Sequence, residues 1–499
     1  MAALRGKGLA YPCNNASPSA TLDVRNFASM PLCVDLDGTL LRTDTLYEAF
    51  LHLCRHRPLR ALALLACIYQ GKAIFKRRVT EAADLDAASL PVNEDLVRYL
   101  HEQKATGREL ALYSAADSTL VKAIAARHGL FDYVEGCDGV ANLAGAAKLA
   151  AIRTRYGADF VYAGNAAVDL PIWRGARAAI VVSDNDRLAA KAAVAAPLEA
   201  RFQQACRGVY PWLQALRPHQ WAKNLLLFVP ILLAGSLASA ADFAEVALGF
   251  VIFNLLASAG YVVNDLLDLE ADRRHKSKRY RPFAAGLLPL RDGVLGTGLL
   301  LLFAAGLLAL MPLPFLLAAL GYFAGTLGYS LILKHEPTLD VLMLAGLFTM
   351  RVLAGAMVLA VPLSFWLLSF SMFLFLGLAV IKRYAELDEA AKAGSNGALF
   401  GRGYTTVELP MLLTLGVSTA IAANIIFLIY LIDEKFPSGL YTRPHWLWLV
   451  FPLLMLWLIR MWRLTVLGRM HEDPVFFALK DRPSLLIGTG VLGLILLAR

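Results

Sequence analysis

The residues best suited to do chemistry stand in two short runs, and the first is NDLLDLEAD, Asn264–Asp272. Four acids and then six bases fall within residues 264–282, at the end of a long apolar stretch. Charge in such a place is costly and by default functional. If the apolar segment continues as a helix past Val263, Asn264, Asp268 and Asp272 recur at i, i+4 and i+8. Asp265 joins them at i+3 and i+7 from the two later aspartates, and Glu270 points away. Three carboxylates on one stripe repel each other unless a positive charge lies between them. Mg²⁺, an oxygen-seeking ion usually shared between carboxylates and substrate phosphates, is the expected one. Lys278 and Arg281 are then placed to grip the same phosphates from the other side. The bland alternative, a solvated loop that only sets topology, explains the bases but not the helical register of the acids.

The second run is PLCVDLDGTLL (residues 31–41), a short apolar strand that ends in D-x-D-G-T. It presents Asp35 and Asp37 at a strand end, with a glycine that permits a tight turn. A second strand is expected in LALYSAAD (110–117), ending at Ser114. Lys148 follows in NLAGAAKLAAI, and FVYAGNAAVDLPIW (160–173) carries Asn165 and Asp169.

Two kinds of element must position these groups. The chain has 499 residues and a mean hydropathy of +0.55, too apolar for an ordinary soluble protein. Residues 1–205 have the pattern of an aqueous α/β domain. Spanning-length apolar runs then recur at about 224–238, 243–263, 293–311, 313–333, 338–360, 363–381, 409–432, 446–462 and 483–498, which makes nine. The connections 264–292, 334–337, 382–408 and 463–482 are rich in Lys and Arg, and the alternate ones are short or nearly charge-balanced. By the positive-inside rule the basic set and the N-terminal domain face the cytoplasm, and nine spans put the C-terminus on the far side. The +9 net charge therefore belongs to a membrane surface, with no nucleic-acid partner expected. The N-terminus shows no apolar signal-peptide core.

The apolar runs are nearly free of charge apart from Arg351, which separates the chain from transporters with ionisable groups at mid-membrane. Leu59–Ile68, flanked by Arg57, Arg60, Lys72 and Lys76, is apolar but too short to span, and is expected as an amphipathic helix at the membrane surface. All six cysteines lie in the aqueous part without a C-x-x-C pair, which fits a reducing compartment and argues against a zinc or redox motif.

The N-D-x-x-D-x-x-x-D pattern on a nine-span domain resembles the UbiA superfamily of membrane prenyltransferases, over roughly 211–499. The resemblance implies an all-α transmembrane fold in which the motif binds Mg²⁺ and a donor diphosphate, with a cavity open to the bilayer for a polyprenyl chain. In aromatic prenyltransferases of the superfamily a second acidic cluster follows the fourth span. Here YSLILKHEPTLDVLMLAGLFTMRVLAGA, which starts at Tyr329, has a single well-placed Asp340, with Arg351 three helical turns on. Pro337 makes a helical face shared by Glu336 and Asp340 unfavourable. With RPHQWAKN (217–224) and HKSKRYRPFAAG (275–286), this is similar to decaprenyl-phosphate 5-phosphoribosyltransferases, which move 5-phosphoribose from phosphoribosyl pyrophosphate to a polyprenyl phosphate. Lys223, Lys278, Arg281, Tyr329, Lys334, Asp340 and Arg351 are the candidate binding residues for two such anionic substrates. Asp265, Asp268 and Asp272 are the catalytic candidates, and Asn264, Asp268 and Asp272 the metal ligands. An aromatic prenyltransferase, or a non-catalytic membrane scaffold or transporter, stays open as the alternative.

In IKRYAELDE, Lys382, Arg383 and Glu386 are equally explained as snorkelling anchors. In GRMHEDPVFFALKDRPS, Asp481 and Arg482 are expected to order the rim, and His471 is no metal ligand on this evidence.

The D-x-D-G-T run with its three later motifs resembles the haloacid dehalogenase superfamily over roughly 30–190. That implies Asp35 as the nucleophile, Asp37 as general acid and base, and Ser114 and Lys148 as phosphoryl ligands. Asp35, Asn165 and Asp169 would hold Mg²⁺, and residues 44–95 would form a helical cap. Asn165 departs from the family's usual aspartate and removes one negative charge, so weakened Mg²⁺ binding is expected, with a phosphatase-like domain that acts elsewhere or is kept for regulation as the alternative. The expected organisation is a tail over 1–29, a phosphatase domain over 30–205 and a transferase domain over 206–499. A polyprenyl phosphate and phosphoribosyl pyrophosphate are the expected partners, with homo-oligomerisation left open.

Overall fold

The computed structural model describes residues 27–138, 143–204, 208–234, 239–275, 277–359, 362, 364–392, 402–470 and 473–498. His471 and Glu472 lie outside them. The chain divides into two compact units, one of Met1–Ala215 with Asp265–Leu295 and one of Leu216–Asn264 with Gly296–Arg499.

The first unit is built on a six-stranded sheet of β1 (Leu32–Asp35), β2 (Leu110–Asp117), β3 (Tyr133–Cys137), β4 (Val161–Gly164), β5 (Ala178–Val182) and β6 (Leu198–Phe202). All pairings are parallel and the order is β3-β2-β1-β4-β5-β6. Strands such as LCVD and AAIVV are apolar without alternation because helices cover both faces. Leu32, Val34, Leu112, Val161 and Ile180 pack into one core, and Cys33, Tyr113, Tyr162 and Val181 into the other. The order reverses beside β1, so the carboxyl ends of β1 and β4 form the crevice where such sheets bind ligands. The expected α/β Rossmann-like domain with a helical cap is thus present. The cap's body is the helices Thr45–His56, Pro58–Leu65 and Lys72–Ala83, and the chain rejoins the sheet domain where Leu41 bridges Val92. The four described cysteines form no disulfide.

The second unit is all-α. Among the described residues, seven helices are long and apolar enough to cross a membrane: Ala240–Leu267, Leu290–Leu308, Leu313–Leu331, Leu339–Val358, Phe365–Lys392, Thr406–Lys435 and Pro444–Val466. The expected first and ninth spans fall short of that length. Residues 218–228 form a 3₁₀ helix leading into Val229–Ala234, and Arg482–Ala498 has 17 residues. Short segments of this kind cross only part of the hydrocarbon layer by themselves.

Candidate active sites

At the carboxyl end of β1, Asp35 Oδ1 accepts hydrogen bonds from Leu36 N at 2.9 Å and from Lys148 Nζ at 2.6 Å. Lys148 also donates to the Tyr162 hydroxyl at 3.2 Å, which donates to Asp169 Oδ1 at 3.1 Å. Asp169 Oδ2 accepts the backbone N–H groups of Asn165 and Ala166 at 3.0 and 2.9 Å. A buried relay therefore joins Asp35 through Lys148 and Tyr162 to Asp169. Sequence reasoning missed Tyr162, although its place two residues before Gly164 at the end of β4 was a usable signal.

Asp37 Oδ1 accepts from Thr45 N at 2.9 Å, which ties the site to the start of the cap. Loss of hydration, then the nearby carboxylates of Asp44 and Asp35, push its carboxyl up to about 7. Burial and the Asp35 charge raise Asp169 to about 6. Gly38 sits at φ +72°, and a Cβ there would meet Asn165 Nδ2 at 2.1 Å, so only glycine lets these two motifs close on each other.

Ser114 is fully buried and its Oγ accepts from Ala116 N at 3.0 Å. It is not the end of its strand, as expected, because β2 continues to Asp117 through an irregularity in its pairing with β3. Lys76, from the cap, donates to the Ala115 carbonyl at 3.0 Å. Asp35 and Asp169 meet a single lysine, and Asp37 adds a third carboxylate beside Asp35, an excess of hard oxygen donors and negative charge that fits Mg²⁺.

The acidic stripe also belongs to this unit from Asp265 onward. The uninterrupted helix expected there does not form. The helix Ala240–Leu267 ends, Asp268 adopts φ −100° and ψ 16°, and a short helix restarts over Leu269–Arg274. Asp265 and Asp272 still meet, because Arg281 Nη1 bridges Asp265 Oδ1 at 3.1 Å and Asp272 Oδ2 at 2.7 Å. The positive charge between these carboxylates is thus a guanidinium, which corrects the expectation that Arg281 stands across from them on phosphates alone. Burial nonetheless raises the Asp272 carboxyl above its ordinary range, against the pull of Arg281.

Asp268 faces Arg55 of the cap at 3.7 Å, and Glu270, on another side, pairs with Arg274 at 2.6 Å and lies 3.5 Å from His52. Arg273 forms a two-pronged pair with the buried Glu48 at 2.6 and 3.1 Å. Asn264 is half-buried in the last turn of the long helix, and Lys278 starts a 3₁₀ turn. The oxygen-only set of Asn264, Asp265, Asp268 and Asp272 also suits Mg²⁺.

In the second unit, Lys223 and Lys382 both donate to Asp473 Oδ2, at 2.8 and 3.3 Å. Arg351 donates to Asn224 Oδ1 at 2.7 Å, the Leu347 carbonyl at 2.6 Å and the Tyr322 hydroxyl at 2.8 Å. Asn224 Nδ2 continues to Asn254 Oδ1 at 2.7 Å. Asp340 accepts from Tyr329 at 2.8 Å, from Arg402 at 2.7 Å and from Arg383. Asp340 and Arg351 are both buried on one helix, as their spacing implies, but in separate networks. Arg383 is fully buried and also bonded to Glu386, so it is no snorkelling anchor. Lys334 is half-buried in the turn Leu333–His335. Asp481 pairs with Arg460 at 2.6 and 2.9 Å and accepts Ser484 N at 3.0 Å, which orders the start of Arg482–Ala498. Asn254, Tyr322 and Arg402 escaped sequence reasoning, since single polar residues in apolar surroundings carry no pattern.

Asp340→Ala leaves the buried Arg383 guanidinium with Glu386 and Tyr329 and takes a carboxylate from Arg402. It should cost about 1–3 kcal/mol, the scale of a lost hydrogen bond between charged groups, measurable as a lower thermal midpoint of the detergent-solubilised protein.

The profile of the UbiA prenyltransferase family matches residues 227–481. The protein y4nM of Sinorhizobium fredii is 37% identical over 467 residues, which cover 92% of this chain and 89% of y4nM. The decaprenyl-phosphate phosphoribosyltransferase of Mycolicibacterium smegmatis is 35% identical over 213 residues, 42% of this chain and 67% of that enzyme. Among solved structures, a substrate-bound phosphoserine phosphatase superposes with a TM-score of 0.25 at 18% identity, over 35% of this chain and 92% of the phosphatase.

Proposed function

Since the chain belongs to the UbiA prenyltransferase family, an integral membrane family, we propose that it is a two-step enzyme of the membrane surface. It transfers 5-phosphoribose from phosphoribosyl pyrophosphate to a polyprenyl phosphate, then removes the 5-phosphate to leave polyprenyl-phosphoryl ribose. The observation that carries the first step is the set of inward cations in the second unit: Lys223, Arg351, Lys382, Arg383 and Arg402. Such a set suits two anionic substrates better than one anionic donor and a neutral aromatic ring. The similarity to the mycobacterial phosphoribosyltransferase supports the same choice. An aromatic prenyltransferase wants a second acidic cluster free to hold a metal, whereas Asp340 and Glu386 are already held by the Arg383 and Arg402 guanidinium groups.

Asn264, Asp268 and Asp272 would hold Mg²⁺, which would neutralise the leaving diphosphate, with Asp265 beside them. Arg281 and Lys278 orient its oxygens. Lys223 and Arg351 orient the lipid phosphate, and Tyr329, Lys334 and Asp340, outside the Arg351 network, are the remaining candidates for binding the anionic substrates. The ribose C1–O bond breaks, diphosphate leaves with the electron pair, and a phosphate oxygen of the lipid forms the new bond to C1. A phosphate dianion needs no strong base for that attack.

In the second step Asp35 attacks the 5-phosphate phosphorus, and Asp37 gives its proton to the departing ribose oxygen. Asp37 then takes a proton from the water that releases inorganic phosphate. Lys148 and Ser114 hold the phosphoryl oxygens. Asp35, Asn165 and Asp169 would hold Mg²⁺ there, and it screens the approaching negative charges. By the distribution of Lys and Arg, the N-terminal domain and both sites face the cytoplasm.

Asn165 is the weak ligand of this set. Asn165→Asp should lower the Mg²⁺ concentration that half-activates phosphate release by about tenfold, read from a metal titration with a soluble phosphate monoester. No change would remove Asn165 from the metal site.

A further inference from the structure

The segment Pro58–Gln70 of the cap has an apolar inner face and an equally apolar outer one. Ala61, Leu64 and Cys67 point inward, and Ala61 and Leu64 pack with Leu53, Phe75 and Val79. On the outer side Leu59 is 83% exposed, Leu62 67%, Ile68 52% and Tyr69 96%. A helix apolar all round is one that something covers on every side. The charge around it says what. From Arg57 to Arg78 the chain has six bases (Arg57, Arg60, Lys72, Lys76, Arg77 and Arg78) and no Asp or Glu. Arg57 and Arg60, at the start of the apolar segment, are exposed. Apolar side chains with a tyrosine, fringed only by cations, complement the anionic headgroups and upper acyl region of a bilayer. A second copy of the same patch would bring like charges together.

We propose that residues 57–71 lie in the membrane surface, and that the cap thereby restricts efficient turnover to monoesters borne on lipids in that surface, soluble monoesters being hydrolysed only slowly. The lipid restriction rests on the phosphatase reading above; the membrane contact does not. The contact also gives a reason for the cap lysine, Lys76, that reaches the strand carrying Ser114. The segment that meets lipid and the lysine that touches the phosphoryl-binding strand lie within one short run of chain.

The test uses the full chain in nanodiscs containing phosphatidylglycerol, with nitroxide labels on Leu62→Cys and Tyr69→Cys and the identically treated parent as the blank. Collision with oxygen, which partitions into lipid, should exceed collision with a water-soluble nickel chelate at both positions. Preferential collision with nickel would overturn the contact. Shielding from both reagents with dipolar broadening would overturn it in favour of a second copy. In the same discs, Leu59→Ser/Leu62→Ser/Tyr69→Ser should lower kcat/KM for polyprenyl-phosphoryl 5-phosphoribose by roughly tenfold or more, the scale set by losing an anchored interfacial contact. Turnover of p-nitrophenyl phosphate should be unchanged. Equal loss on both substrates would overturn the lipid restriction. A lipid-embedded label in a chain that hydrolyses neither substrate would leave the contact standing and sink the phosphatase reading.

Discussion

Asp35→Asn should stop phosphate release while leaving ribosyl transfer untouched, so that the 5-phosphorylated lipid accumulates. The carboxylate is the atom group that attacks phosphorus, and an amide in its place is not a nucleophile. Losing a covalent nucleophile costs on the order of 10⁴-fold or more in kcat. The surroundings favour a local effect. Asp35 touches Lys148 and its own neighbour's N–H, and an asparagine oxygen can accept both. Lys148 keeps its bond to Tyr162, so it is not stranded. Mass spectrometry of the lipid products is the readout. A variant that still yielded the dephosphorylated lipid would end the tandem scheme, and one that lost transfer as well would show that the two steps are not separable.

Asp268→Ala should act on the other step, lowering transfer by about 10³-fold, the scale of removing one preorganised electrostatic group from a site of charge development. Hydrolysis of a soluble phosphate should persist. Asp268 is the informative member of the stripe because Asp265 and Asp272 are buried and share the partly exposed Arg281, so removing either disturbs a pair that holds the segment together. Asp268 has a longer contact, 3.7 Å to a partly exposed Arg55, and its loss should not unfold the unit. Transfer at the parent rate would mean that the stripe merely sets topology.

The parts of this architecture that follow a period were legible in the sequence. Uniformly apolar strands ending in Asp35 and Gly164 announce a parallel sheet with its site at the strand ends, and the apolar runs announce membrane helices. Arg281 touches both Asp265 and Asp272, but the continuous helical face that their spacing suggested breaks at Asp268. What stayed hidden depends on residues far apart in the chain. Arg383, by its place at a span's end, has the pattern of a snorkelling anchor; only the fold brings Asp340, 43 residues earlier, against it. Tyr162 is one more apolar-looking strand residue until Lys148 and Asp169 are placed on either side of its hydroxyl. The pairing of Arg273 with Glu48, across 225 residues, left no trace in any local pattern. It holds the acidic segment to the cap helix in the same compact unit.

The most direct measurement supplies the purified full-length protein, in detergent with Mg²⁺, with polyprenyl phosphate and phosphoribosyl pyrophosphate, and weighs the lipids formed. Polyprenyl-phosphoryl ribose without the 5-phosphate is the predicted product. A lipid that kept the phosphate would confine the activity to transfer and implicate Asn165. The absence of any ribosylated lipid would contradict the phosphoribosyl reading and return the chain to the prenyl diphosphate chemistry of its family.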